Sequence, residues 1–568
     1  MTNLWLAGAL AALALPQAAM AQSDPLAPLP AQTAETQPAP ASEAARLDSW
    51  PAILAAVDAG QWALAERSIA AMGDNVLAPY ALAELYLAPN SPRVGGAQAA
   101  ALVRRAPELP QAERLAGLAA ERGGDRVAAT PTQAMVSLGG APRRTRARST
   151  GTSIVEALRR ELRPAIEADD GVQAETIYRT AIGEQRLSGE EQAEIAQLVA
   201  WIHYVAGDMA AARRVASEGV AAGSSEWRAQ AAWTQGLANW RLHDCNAAST
   251  AFRITAAGTR DRELRSAAHY WTARAEQRCR RPQAVAPYLG AAARESETFY
   301  GQLARARLGV DRRLGQRVGP SDRATRSRVE ALPNVVRARA LVAMGQRERA
   351  TELIRHQARI GDPRDHKALV EVAGALRLGL QYWLATNGPR GSQVDPADRY
   401  PAPGWQPDNG WRIDPFLVFS HIIQESDFRE SVVSAADAVG LMQVRPGTAR
   451  DQARRRGQSV SASDLKRPEV NIDHGQQFLE DMRRNGATND ELMRVIAAYN
   501  AGPVPVSRWT SIPGEDPLLW MESLPYWETR FYIPAILRNY FVYHAEAGTT
   551  PQALTDILQG RAPRYPAP

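Results

Sequence analysis

WIHYVAGDMAAARRVASEGV, residues 201–220, reads as a helix, a tight polar turn and a second, alanine-rich helix. The same plan recurs in ANWRLHDCNAASTAF at 238–252 and RAEQRCRRPQAVAPYL at 274–289, with Gly207, Asp244 and Arg278 near the turns. DAGQWALAERSIAAM at 58–72 and VAMGQRERATELI at 342–354 suggest further copies, giving a loose period of roughly 34–36 residues. A helix pair of this size has too little core of its own. Stacking on its neighbours supplies the rest and generates a curved solenoid with a long concave surface, a place where envelope or cell-wall proteins could dock. Residues 47–388 are therefore expected to be all-α, interrupted by a Pro-, Thr-, Gly- and Arg-rich loop or insertion over 129–151. Cys245 and Cys279 fall at equivalent places in adjacent repeats. They could pair in an oxidising compartment, whereas metal binding would need further ligands at suitable spacing. The sequence leaves the pairing open.

Outside the repeats, the chain opens with MTNLWLAGALAALALPQAAMAQ, an apolar run over 4–15 followed by Ala19-Met20-Ala21. The small-x-small triplet has the form of a signal peptidase site, so 1–21 is read as a signal peptide, although no Lys or Arg precedes the apolar run. That run is shorter than the roughly 20 residues that span a bilayer, and no later stretch qualifies, so no transmembrane anchor is expected in the mature chain. No cysteine near the cleavage point suggests a lipid anchor. Residues 22–46 form a Pro- and Ala-rich flexible leader. The net charge of +5 is modest, and the hydrophobic and charged fractions, 45% and 22%, are those of a folded globular chain. Arg143, Arg144, Arg146 and Arg148 are read as a solvated loop, and without a recognisable motif nucleic acid is not an expected partner.

After the helix-breaking stretch 389–413, read as a linker, the motifs change in kind over 414–548, with 549–568 left as a C-terminal tail. DPFLVFSHIIQES offers Asp414 as an N-cap and Pro415 at the first helical position. On the helix that follows, Val418, Ile422 and Glu425 share a face, which would bury a carboxylate and raise its proton affinity. A single glutamate closing a helix is ordinarily a solvated residue. Three more segments follow in order, GLMQVRPGTA from Gly440, AAYNAGP from Ala497 and ESLPYWETRFYI from Glu522, with PEVNIDHGQQFL from Pro468 between them.

Together these four motifs resemble the soluble lytic murein transglycosylases, and the upstream ETFYGQLARARLG from Glu297 resembles a segment of the helical region of their larger members. The resemblance implies a mainly all-α protein: a tetratricopeptide-like helical solenoid, ring-shaped in the family, followed by a catalytic domain like goose-type lysozyme. It implies an enzyme of the periplasm that cuts the β-1,4 bond between N-acetylmuramic acid and N-acetylglucosamine in peptidoglycan glycan strands. The cut is non-hydrolytic and leaves 1,6-anhydromuramoyl ends, with no cofactor and no metal. Glu425 would be the single acid and base. Ser426, Ser434, Met442, Gln443, Tyr499, Asn500 and Glu528 would be its substrate-binding and orienting neighbours. For Met442 a core position, for Gln443 a loop-stabilising amide, and for Tyr499 and Asn500 a turn before Gly502 are the plainer alternatives.

The chain departs from the family pattern in Leu524 for Ile, Arg445 after GLMQ, and Asp437 where Gly is common. If Asp437 faced the cleft it would supply a second carboxylate and favour a hydrolytic muramidase; as a loop residue it would be solvated. A non-catalytic glycan-binding scaffold is the rival from another class. Trp509, Trp520, Tyr526 and Trp527 would serve sugar stacking or the core.

Overall fold

The computed structural model describes residues 46–184, 186–509 and 516–566. The expected signal peptide and nearly all of the leader lie outside the described residues. Helical hairpins fill the region of the repeats. Gly189–Ala206 pairs with Met209–Ala222, Glu226–Arg241 with Cys245–Gly258, and Arg262–Arg278 with Pro282–Ala293. Asp208, Asp244 and Asp261 each cap a helix by accepting a backbone N–H, which fixes where the turns fall. Alanines dominate the buried faces and let neighbouring helices approach closely, while Trp233, Phe252 and Trp271 fill the wider spaces.

Cys245, at the start of one helix, and Cys279, just past the end of the next, are joined in a disulfide with their Cα atoms 5.6 Å apart. By chain-entropy arguments a cross-link of this span contributes about 3–4 kcal/mol.

The solenoid closes on itself. Its first helices, from Trp50 to Leu115, share one apolar core with residues 329–394, the last helices before the second unit. Arg337, nearly buried, bridges the two by donating to the Val76 carbonyl and to Glu108.

Residues 129–151 are not helical, and although many of them are exposed, the segment is tied down at several points. Met135–Ser137 pairs antiparallel with Asn387–Pro389, and the chain then crosses to the C-terminal unit. There Arg143 pairs with Asp427 and Arg144 with Glu522, while Arg146 lies over the Trp527 ring. Of the arginine cluster read as solvated, Arg143, Arg146 and Arg148 are exposed, while Arg144, its side chain only 6% exposed, is buried in the contact between the two parts of the molecule. The reason is partner geometry: Asp427, Glu522 and Trp527 lie more than 280 residues away in sequence, where local charge patterning gives no sign of them.

In the C-terminal unit the helix Trp527–Glu546 is buried on nearly every side and packs on Pro415–Ser426. The expected tail is structured: Gln552–Leu558 is a helix with Ala553, Leu554 and Ile557 buried, and Leu492 donates to the Pro563 carbonyl. No described helix is long and apolar enough to cross a membrane.

Candidate active site

Asp414 caps the helix Pro415–Ser426, accepting from the Phe416 N–H and from Tyr540 and His544, each at 2.9 Å. The helix therefore starts at a fixed point, and Glu425 projects from its last turn. Its end is abrupt. Asp427 and Phe428 both adopt positive φ, 51° and 61°, a conformation that costs non-glycine residues on the order of 1 kcal/mol or more each. Phe428 is held there by Tyr382, Trp405 and Phe419, with ring centres 6.0–6.3 Å away.

Glu425 accepts a hydrogen bond from the Tyr532 hydroxyl at 2.5 Å. The Tyr532 oxygen lies 2.8 Å from His421 Nδ1, one turn back on the helix that carries Glu425. Burial pushes the Glu425 carboxyl up to about 7; the Tyr532 hydrogen bond opposes this and the charge of Glu528 adds to it. Burial pushes His421 down to about 3, so the imidazole is neutral, and its Nε2 has no partner among the described residues. Glu425, Tyr532 and His421 thus form a chain of neutral or weakly acidic groups with no cation in hydrogen-bond contact. Such a carboxyl keeps its proton near neutral pH and can give it up.

The loop Gly440–Gln443 is built by backbone needs. Gly440 has φ +74°, and a Cβ there would run into the Asn471 amide and the Leu465 carbonyl. Asn471, fully buried, accepts from the Met442 N–H at 2.8 Å and donates to the Val439 and Leu465 carbonyls. Gln443 donates to the Gly440 carbonyl at 2.8 Å, so its amide braces the loop. Met442 is 0% exposed, with its side chain against Gly475, and its carbonyl accepts from Tyr499 at 2.6 Å. Tyr499 packs tilted against His421 with ring centres 4.7 Å apart, and burial together with the nearby Glu425 charge raises its hydroxyl well above the usual phenol range. It stands close to Glu425, but the phenol bonded to the carboxylate is Tyr532.

The other candidates divide. Ser434 accepts the Ala436 and Ala438 N–H groups, at 3.3 and 3.1 Å, and its own proton has no acceptor among the described residues. Ser426 is turned inward, donating to the Ile422 carbonyl. Asn500 accepts from Thr529 at 2.7 Å, tying the helix Leu492–Ala501 to the first turn of Trp527–Glu546. Glu528, in that turn, is exposed. Asp437 is an exposed residue at φ +59° whose N–H closes a turn onto the Ser434 carbonyl. The carboxylate felt by Glu425 is Glu528. Trp509 and Trp520 are core, at 5% and 3% exposure, while Tyr526 and Trp527 remain open at 51% and 40%.

Tyr532, His421 and Asn471 were not singled out by sequence reasoning. His421 had a readable sign, lying four residues before Glu425 on the same face as the acid.

The site is thus a largely buried glutamate of raised proton affinity on the last turn of a capped helix, beside a loop braced by its own backbone. Residues 406–517 match the family Transglycosylase SLT domain. The soluble lytic murein transglycosylase of Escherichia coli K12 is 34% identical over 145 residues, 24% of this chain and 22% of that protein. The endo-type membrane-bound lytic murein transglycosylase A of Klebsiella pneumoniae strain 342 is 37% identical over 114 residues, 19% and 56% of the two chains. The matches to curated relatives thus span about a fifth of the length of the first and just over half of the second. The crystal structure of the 70 kDa soluble lytic transglycosylase from Escherichia coli aligns over 91% of this chain and 98% of its own, with a TM-score of 0.56 at 18% identity. The chain thus shares the overall fold of that protein, with residues 406–517 similar to the transglycosylase SLT domain.

Proposed function

We propose that the protein is a lytic transglycosylase that cleaves the N-acetylmuramic acid to N-acetylglucosamine bond of peptidoglycan glycan strands, leaving 1,6-anhydromuramoyl ends. The observation that carries this reading is the Glu425 carboxyl, held by a phenol rather than a cation and pushed up to about 7. Protonated Glu425 gives its proton to the glycosidic oxygen as the C1–O bond breaks. The 2-acetamido group of the same sugar stabilises C1, and the Ser434 hydroxyl, whose proton is free, is suited to hold its carbonyl. Glu425, now a carboxylate, takes the proton of the muramic 6-hydroxyl as that oxygen bonds to C1. No water enters, and the tethered nucleophile gains the large effective concentration of an intramolecular reaction. Exposed Tyr526 and Trp527 are placed to stack on sugar faces.

We place Ser434 and Glu528 at the cleft, with Gln443, Met442, Tyr499 and Asn500 shaping it through their backbone and brace contacts. The disulfide fits an oxidising compartment and thus a periplasmic enzyme. Hydrolysis is the second reading, because Glu528 acts electrostatically on Glu425 and could hold a water. Mass spectrometry of digested peptidoglycan decides: anhydro ends are expected from the parent and from Glu528→Gln, while reducing ends that vanish in Glu528→Gln would establish the muramidase.

A further inference from the structure

Where the helix Trp527–Glu546 meets the solenoid lies a cavity of about 60 Å³. Five stretches of chain converge on it: the crossing segment brings Arg146, the helix Ser153–Glu167 brings Arg159, Gly189–Ala206 brings Gln197 and Trp201, Glu226–Arg241 brings Gln230, and Trp527–Glu546 brings Arg530. Pockets for organic ligands are usually about 300 Å³ or larger, whereas a water needs only about 10–15 Å³. The space therefore suits a few waters or one small polyatomic ion and excludes a sugar or a peptide.

The charge on its walls is of one sign. Arg146, Arg159 and Arg530 line it, and among the described residues no carboxylate does. Arg159 is paired with Glu194 at 2.9 Å, and Glu194 also accepts from Ser149 and Thr150, so it is fully engaged. Arg146 lies over the Trp527 ring and makes no ion pair among the described residues. Arg530 is the enclosed member. Its guanidinium lies 3.7 Å from the centre of the Trp201 ring, and its Nε and Nη1 are sealed from solvent without an acceptor. Burial, and after it the Arg144 charge, push Arg530 down to about 9; Glu522 opposes this, but both its oxygens are taken by Arg144. A ring face offsets part of the cost of a desolvated cation, yet it leaves the in-plane N–H groups unbonded. Buried donors without a protein partner ordinarily meet a water or an ion, and of the two only an anion also balances the charge.

We propose that this cavity binds a small free oxyanion of the inorganic phosphate or sulfate type, held by Arg530 inside and Arg146 at the open side. Guanidinium groups match such ions in shape and are weakly hydrated, so little is lost in exchanging their water for anion oxygens. The Gln197 and Gln230 side chains, which make no hydrogen bond among the described residues, add amide donors to the same wall. Because these groups come from the solenoid, the crossing segment and the C-terminal unit, the ion fastens the three together beside the seam that Arg144 and Glu522 form. The site stands whichever glycan bond Glu425 cleaves.

Calorimetric titration of the full chain with inorganic phosphate in chloride buffer should show one saturable site with a dissociation constant of about 1 mM or tighter, for which sulfate competes. Arg530→Met keeps an unbranched side chain against Trp201 and should weaken phosphate binding about tenfold or more, the scale of a charged hydrogen bond lost. Arg146→Gln, at the open side, should weaken it about threefold. Phosphate should raise the thermal midpoint of the parent and leave that of Arg530→Met in place. Glycerol 3-phosphate, too large for the cavity, should bind at least about tenfold more weakly than phosphate, and equal affinity for the two overturns the free ion as the ligand. No saturable phosphate binding by the parent, or an affinity unchanged in both variants, overturns the site. Should Arg530→Met fail to fold, as circular dichroism would show, the Arg146→Gln titration decides.

Discussion

The cleft around Glu425 and the seam around Glu522 each enclose a glutamate of the same domain, and the protein surrounds them in opposite ways. Glu522 is 0% exposed and receives Arg144 through two oxygens, at 2.6 and 2.9 Å, and Tyr300 at 2.9 Å. Beside it Ser523 meets Tyr204 at 2.7 Å, and nearby Arg538 donates to Glu263 at 3.1 Å. The seam is built of ion pairs between solenoid and C-terminal unit. Glu425 receives one neutral hydroxyl, and its proton affinity rises. Glu263 has a single guanidinium contact, and burial pushes it up to about 7 all the same. What separates cleft from seam is the kind of partner: a neutral hydroxyl leaves the cleft acid a proton to give, while guanidiniums at the seam tie two units of the chain together.

The strongest break of this contrast is at the cleft. Glu425→Gln keeps the shape and removes the transferable proton, so release of soluble fragments from purified cell walls should fall about 10³-fold or more, with the fold retained by circular dichroism. A parent-like rate would remove Glu425 from the chemistry. At the seam the loss should appear as stability. Glu522→Ala leaves Arg144 buried without a counter-charge and should cost about 3 kcal/mol or more in denaturant unfolding. Replacing Arg144 and Glu522 together with leucine should recover a large part of that cost, since paired apolar groups of similar volume tolerate burial. Turnover per folded molecule should hardly change.

The same contrast explains what could be read in advance. Glu425, the loop from Gly440 and the Tyr499 segment were legible because helix caps, left-handed glycines and tight turns leave local marks in sequence. The solenoid was legible from its repeats, and Gly207, Asp244 and Arg278 do fall at its turns. The seam was not. Glu522-Ser523 opens the fourth motif and was grouped with the cleft motifs, yet both residues face the solenoid; Tyr300, in the upstream ETFYGQL stretch, is the phenol that meets Glu522. Those two motifs are coupled across 222 positions, and no local pattern announces such a pair. Asp437 was weighed as the second carboxylate because it broke a pattern. A turn at φ +59° accounts for the residue without the cleft, and Glu528 is the acid with leverage.

Smaller effects refine the cleft side of the comparison through pH. With the acid form of Glu425 required, kcat/KM should decline as pH rises through about 7, where the proton is lost. Tyr532 donates to the ionised carboxylate and so favours it. Tyr532→Phe removes that preference, raises the proton affinity of Glu425 and should carry the alkaline limb upward by about one pH unit. A limb that moves down would mean that Tyr532 instead stabilises the protonated acid.

His421 acts one step further back. While Tyr532 donates its single proton to Glu425, the 2.8 Å contact requires His421 Nδ1–H to donate to the Tyr532 oxygen, which strengthens the phenol as a donor. Once Glu425 is protonated the chain can reverse, with the carboxyl donating to Tyr532 and Tyr532 to an unprotonated Nδ1. His421 accommodates both states by changing tautomer, and burial keeps it from becoming a cation in either. His421→Leu retains the volume and removes this support. Cooperative strengthening is on the order of 10–30% per bond, so the alkaline limb should shift upward by only about 0.2–0.3 pH unit, in the same direction as Tyr532→Phe. A shift as large as that of Tyr532→Phe would show that the phenol loses its place without the imidazole, making His421 a positioning group. If instead the limb stayed at the parent pH while turnover fell, His421 would serve the cleft through packing on Tyr499 and the hydrogen-bonded chain would carry no part of the acid's tuning.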